Sequence, residues 1–264
     1  VSRTAAGAAG LAALVADPGS AVVSLDYDGT LAPIAARPED AVPARGALGA
    51  LEACARVFGT VAIVTGRPAA VVVSLAGAAT VDRLVVLGHY GEERWTAAEG
   101  LTRPPEPRGL ADARKLLDGI ERDGVRVEEK GISVAVHTRL APDPDTALRA
   151  VTERVEEIAR ETGLAVNRGR YVVELRAPHA RDKRDAIRSL CVPGTSALLF
   201  AGDDLVDLPA YDAVEEFRNG GGAGVGVFVD NPEAAMVRDR ADVVLPDTQA
   251  CVIFLKDLAE AARG

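Results

Sequence analysis

The stretch SLDYDGTLAP, residues 24–33, bears on fold and chemistry together. It overlaps the near-continuously apolar run AVVSLD (21–26), which reads as a strand buried on both faces of a parallel sheet. Asp26 ends that strand, and Asp28 follows two residues later in a glycine-containing turn. An ordinary strand-to-loop turn also favours Asp and Gly. In a parallel α/β sheet, however, ligands gather at the carboxyl ends of strands, and two carboxylates there repel each other unless a cation sits between them. Hard oxygen ligands of this type suit Mg2+.

Working outward, VAIVT (61–65), LVVLG (84–88), SALLFAGD (196–203), VGVFVD (225–230) and ADVVLP (241–246) have the same buried-strand look, with helical patterns such as residues 44–58 between them. This alternation predicts an α/β fold, a Rossmann-like doubly wound parallel sheet. The middle third reads differently: a helix over 110–122, alternating strands over 125–131 and 132–139, an amphipathic helix over 145–163, and a hairpin over 164–175 turning at Arg168 and Gly169. Helix, two strands, helix, two strands predict a smaller α+β cap inserted in the parallel fold. The expected division is a core of residues 1–103 and 179–264 and a cap of residues 104–178, with proline-bearing hinges at 102–109 and 177–182.

A second acidic cluster, FAGDDLVDLP (200–209), also follows a buried run and presents Asp203, Asp204 and Asp207. Two such strand ends in one sheet suggest one metal site assembled from both. Thr65 places a hydroxyl at the end of a third strand, with Gly66 allowing close backbone approach. Lys183, opening the helix before the second acidic strand, offers the positive charge a phosphoryl group requires.

The ordered set DYDGT, VTGR, a lysine before a helix, and GDDLVD resembles the four motifs of the haloacid dehalogenase superfamily of phosphatases. Within it, DYDGTLAPIAARPEDA, VAIVTGRP, LGHYGEERW, VEEKGISVAVHTR, GRYVVELR and GDDLVDLPAYDAVE resemble the trehalose-6-phosphate phosphatase family. The resemblance implies a Mg2+-dependent phosphatase that forms an aspartyl-phosphate on Asp26, with Asp28 as general acid and then base. It implies Thr65 and Lys183 on the phosphoryl oxygens, and Mg2+ held by Asp26, the Asp28 carbonyl and Asp203, with Asp204 and Asp207 in support. It also implies cap residues Glu128, Lys130 and Glu174 on the sugar, with Gly66, Arg67, His89, His137 and Arg139 as further substrate contacts. The substrate expected is trehalose 6-phosphate; the alternative is another sugar phosphate, such as that of sucrose, glucosylglycerol or mannosylglycerate. Two departures stand out: Arg184 occupies a place where the family usually has glycine, and Val206 and Leu208 alter the last acidic motif.

Composition is ordinary for a soluble globular protein, and its acidic balance does not exclude a small anionic substrate. With 48% apolar and 26% charged residues, the chain of 264 residues can bury a sizeable core. A net charge of −9 argues against a nucleic-acid partner, and no apolar run suits a bilayer. The alanine-rich opening could be misread as a signal peptide, but Arg3 is its only basic residue and Asp17 and Pro18 interrupt it, so a short amphipathic helix is expected. Cys54, Cys191 and Cys251 show no paired spacing and read as thiols of a reducing cytoplasm. A cytoplasmic monomer acting on a small sugar phosphate is the expectation. A phospho-accepting receiver domain would have neither the insertion nor Asp28, and a dead sensor would have lost one of the core motif residues.

Overall fold

The computed structural model describes residues 2–35 and 37–264. The chain divides into two compact units, Val1–Thr102 with Arg181–Gly264, and Arg103–Ala180. The first unit begins with α1 (Ala5–Ala16), β1 (Ala21–Leu25), α2 (Ala47–Ala55), β2 (Thr60–Val64), α3 (Ala69–Ala76), β3 (Leu84–Gly88), β4 (Glu93–Thr96) and β5 (Gly100–Thr102). The second unit is α4 (Leu110–Leu116), β6 (Arg126–Glu129), β7 (Val134–His137), α5 (Pro144–Thr162), β8 (Ala165–Gly169) and β9 (Val172–Arg176). The first then resumes with α6 (Lys183–Leu190), β10 (Ala197–Gly202), α7 (Leu208–Asn219), β11 (Ala223–Val229), β12 (Val243–Leu245) and α8 (Thr248–Ala261).

Among the described residues the first unit holds one sheet ordered β12-β11-β10-β1-β2-β3-β4-β5. Strands from β12 to β3 run parallel, and β4 and β5 extend the edge antiparallel. The apolar runs are continuous because both faces are covered. Val23 and Leu25 pack with α2, α3 and α8, whereas Val22 faces the other way, towards α6 and α7. From β1 the chain steps through β2 and β3 on one side, then returns with β10 on the other. Strand order therefore reverses between β1 and β10, and the crevice at their carboxyl ends is where this architecture binds ligands.

The opening helix forms, but it is not held by a stripe of large apolar residues. Its buried residues are Gly7, Gly10 and Leu14, and a Cβ on Gly10 would collide with the Gly224 carbonyl of β11. Close backbone approach takes the place of side-chain burial there. No helix among the described residues is long and apolar enough to cross a membrane.

The second unit is a four-stranded antiparallel sheet ordered β6-β7-β9-β8, with α4 and α5 on one face. Val134, Val136, Val173 and Leu175 turn towards those helices, so alternate residues turn away. Helix α4 stops at Leu116, short of the expected 122, because left-handed Gly119, Asp123 and Gly124 cannot continue a right-handed helix. The last hairpin turns at Arg170 and Tyr171, not at Arg168 and Gly169. The observed register sets Val166 beside core-facing Leu175; a one-residue slip would send that apolar set outward.

Candidate active site

Parallel register carries the two acidic strand ends to one edge. Leu25 lies beside Ala201, and the Asp26 N–H donates to the Ala201 carbonyl at 2.8 Å. Carboxylate oxygens of Asp26, Asp203 and Asp207, all buried, lie within 4.8 Å of one another. Gly29 makes this approach possible: it has a φ of 74°, and a Cβ there would occupy the space of the Asp203 carboxylate.

Lys183 is the cation among them. A reciprocal cap between Asp182 and Asp185 fixes the start of α6 at Lys183, whose side chain is 1% exposed. Its Nζ donates to Asp26 Oδ1 at 2.7 Å and to Asp207 Oδ1. Burial pulls the ammonium pKa down, but Asp207 and Asp26 outweigh that and hold it above its ordinary value. The other Asp207 oxygen accepts the N–H groups of Asp203 and Asp204 at 2.9 and 3.0 Å. Asp207 is thus satisfied by protein on both oxygens and serves as a brace. Asp204 is partly exposed and accepts the Leu205 N–H, capping the following turn.

Asp203 differs. Its Oδ2 accepts a hydrogen bond from Asn231 Nδ2 at 3.0 Å, while its buried Oδ1 has no hydrogen-bond partner among the described residues. An orphaned buried carboxylate oxygen is costly. With Asp26 beside it and oxygen donors alone in the cluster, these residues fit a small hard cation such as Mg2+.

Thr65 is buried at the end of β2, its Oγ1 accepting the Arg67 N–H at 3.1 Å. The Arg67 guanidinium grips Asp28 with two bonds, Nε to Oδ2 and Nη2 to Oδ1, each 2.7 Å. It also donates to the Pro38 carbonyl and lies over the Tyr27 ring. Arg67, expected as a substrate contact, is bound in this structure to the residue expected to act as acid. His89, expected beside the sugar, is 3% exposed; its Nε2 lies 3.9 Å from Glu93 Oε1, and its backbone N–H donates to the Arg67 carbonyl. Gly66 lies against the Tyr90 ring, where a Cβ would collide. The Arg184 side chain turns to Asp212 and Glu216 on α7, away from the acidic cluster.

In the second unit, register does the assembling. Glu128 pairs with Ala135, and Ala135 pairs with Glu174, so both carboxylates turn to the face opposite α4 and α5 with a small residue between. Lys130 Nζ lies 3.9 Å from Glu128 and 3.6 Å from Glu174. His137 Nε2 lies 2.8 Å from Glu128 Oε2, and the Ser133 hydroxyl donates to Glu174. Arg139 is not part of this group. It lies past the end of β7, its guanidinium 5.5 Å from the Tyr171 ring centroid.

Two residues escaped the sequence reading. Buried Glu93 accepts the Ala69 N–H at the start of α3. Asn231 follows β11, another strand end of the same sheet, but its Asn-Pro pair reads simply as a turn.

The cluster has a pH signature when metal-free. Burial, with neighbouring carboxylates, pushes Asp26 up to about 8 against the pull of Lys183, and burial followed by Asp26 and Asp207 pushes Asp203 up to about 9. Both folded pKa values lie above the ordinary 3.8, so the fold binds these protons more tightly than the unfolded chain does. The resulting stability is present near pH 4 and is lost as pH rises through 8 to 9. In chelator, the Tm should therefore decline from pH 5 towards 9, and added Mg2+ should raise it more at the alkaline end. A Tm flat with pH and indifferent to Mg2+ would contradict this account.

A family model described as trehalose-phosphatase matches residues 24–240. A trehalose-phosphate phosphatase of Mycobacterium marinum is 33% identical over 243 residues, covering 84% of this chain and 56% of that protein. An uncharacterised glycosyl hydrolase of Mycobacterium tuberculosis is 35% identical over 253 residues, covering 90% of this chain but 18% of that protein. The chain thus spans only part of the length of these relatives. The C-terminal domain of the Candida albicans trehalose-6-phosphate phosphatase superposes with a TM-score of 0.77 at 18% identity, over 95% of each chain, a likeness of fold.

Proposed function

The chain belongs to the trehalose-phosphatase family, and from that premise we propose that it hydrolyses trehalose 6-phosphate to trehalose and inorganic phosphate with Asp26 as nucleophile. The observation that carries this reading is the buried junction of Asp26, Lys183 and Asp203 at the sheet's switch point, with one Asp203 oxygen unsatisfied among the described residues. Asp26 and Asp203, with the Asp28 carbonyl, would hold Mg2+. When bound, the ion offsets repulsion between an anionic nucleophile and an anionic substrate.

The remaining work falls to side chains. A carboxylate oxygen of Asp26 forms a bond to phosphorus as the bond from phosphorus to the sugar oxygen breaks. Lys183, held beside that carboxylate, and Thr65 take phosphoryl oxygens. Asp28 gives the departing sugar oxygen its proton, then takes one from the water that cleaves the aspartyl-phosphate and frees phosphate. Both Asp28 oxygens are held by Arg67, so the acid step requires that pair to open at one oxygen. Arg67 is therefore assigned to aiming Asp28. Sugar recognition is assigned to Glu128, Lys130 and Glu174, whose carboxylates accept from hydroxyls while the ammonium donates. His137 supports Glu128.

Phosphate release from a panel of sugar phosphates with Mg2+ tests the reading. Trehalose 6-phosphate should have the highest kcat/KM, above the phosphates of sucrose, glucosylglycerol and mannosylglycerate. Glu128→Ala and Glu174→Gln should each lower kcat/KM for the preferred substrate about 10- to 100-fold, the worth of a hydrogen bond to a charged group. The same variants should leave p-nitrophenyl phosphate hydrolysis nearly unchanged. Equal losses on both substrates would remove this face from sugar recognition.

A further inference from the structure

We propose that Asn231 is a positioning residue that aims Asp203 at the metal. The proposal rests on the Mg2+ site described above and deepens it. Asn231 is 9% exposed and sits two residues past the end of β11, where the chain enters the turn Pro232–Arg240. Its side-chain amide has two ends with different tasks. Oδ1 accepts the Glu233 N–H at 3.1 Å, so the donor end must face the other way, and there Nδ2 meets Asp203 Oδ2 at 3.0 Å. A backbone contact therefore fixes which end of the amide the carboxylate sees.

The consequence lies in the two oxygens of Asp203. Oδ2 is tied to Asn231, the backbone N–H is tied to Asp207, and Oδ1 is left buried without a hydrogen-bond partner among the described residues. Gly29 packs against the same carboxylate where a Cβ could not fit. A carboxylate gripped at one oxygen and bare at the other is oriented before any cation arrives. An amide suits the task because it donates without adding a further negative charge to a crowded acidic cluster. An aspartate of the same shape could keep the Glu233 contact but, when ionised, could not donate to Asp203.

The test is Mg2+ affinity, followed by calorimetry and by the rise of Tm with Mg2+ concentration, for wild type, Asn231→Ala, Asn231→Asp and Asp203→Asn. Both Asn231 variants should bind Mg2+ about 10- to 100-fold more weakly than wild type, as removal of a partner that orients a metal ligand commonly does. Asn231→Asp, which preserves size and the turn contact, keeps the comparison open should Asn231→Ala fold poorly; its Tm in chelator reports folding separately. Unchanged affinity in Asn231→Asp, alongside loss in Asp203→Asn, would overturn the positioning role while leaving the metal site intact. Tighter binding by Asn231→Asp would also overturn it, by making position 231 a ligand. Failure of wild type to bind Mg2+, or full binding by Asp203→Asn, would overturn both the inference and the metal reading beneath it.

Discussion

Asp26→Asn should abolish turnover of trehalose 6-phosphate, by a factor on the order of 10⁵ or more if this side chain is the nucleophile, and the protein should remain folded. The substitution keeps shape and removes charge. An asparagine amide cannot form the acyl-phosphate through which hydrolysis is proposed to pass, and no neighbouring carboxylate is free to replace it. Asp207 is bound on both oxygens, and Asp203 is held by Asn231 at one oxygen while the other is assigned to Mg2+. The stability effect should run the opposite way from the activity effect. Burial and nearby carboxylates already push Asp26 up to about 8, so a neutral isostere removes an anion that the metal-free fold pays to keep near and above that pH. In chelator at pH 8, the variant should melt at or above the wild-type temperature. Sugar phosphate should still raise its Tm with Mg2+ present, because Lys183, proposed to take the phosphoryl group, and the second unit's polar face, proposed to take the sugar, are untouched. Turnover within about tenfold of wild type, a loss of no more than 1.4 kcal/mol in the barrier, would place the nucleophile elsewhere.

Asp26 and Asp203 were legible in the sequence for a simple reason. A strand covered on both faces must be apolar almost throughout, so Asp26 after AVVSL and Asp203 after ALLFAG mark where burial by helices gives way to the ligand crevice. Lys183 was legible through its place at the head of a helix. The pairing of Arg67 with Asp28 was not, since it joins loops 39 residues apart and depends on how each leaves its strand. Nor was the burial of His89, which follows from left-handed backbone at His89 and Tyr90, with φ of 48° and 58°, turning the chain back against α6. The edge strands β4 and β5 lie within a polar stretch whose exposure does not alternate cleanly, so periodicity had little to report. Asn231 shows the limit most plainly. Asparagine before proline serves as a turn in many places, and only the position of Asp203 gives its amide a second meaning.

Lys183→Met should cost more stability than any other single change in the cluster. The side chain is buried, and its ammonium is the nearest cation to both Asp26 and Asp207 in the cluster. Methionine fills similar space without charge, so the change leaves two buried carboxylates facing each other, and breaking such a pair by removing one partner costs about 3–5 kcal/mol. Because Asp207 and Asp26 hold the Lys183 pKa above 10.5, the lysine is charged throughout the working range, and its contribution is fully present below that value. The carboxylates have an escape the lysine lacks: they can take up protons. The loss measured in chelator should therefore be smaller near pH 5 and grow towards pH 8, and Mg2+ should recover part of it. Adding Asp207→Asn should recover part as well, revealing coupling between the two sites in a double-mutant cycle. Activity should fall about 10²- to 10³-fold, the usual consequence of losing one donor to a developing anion, even where Mg2+ has restored the fold. A variant as stable as wild type in chelator at pH 8 would mean that these carboxylates do not depend on Lys183, and the electrostatic account of the cluster would have to be abandoned.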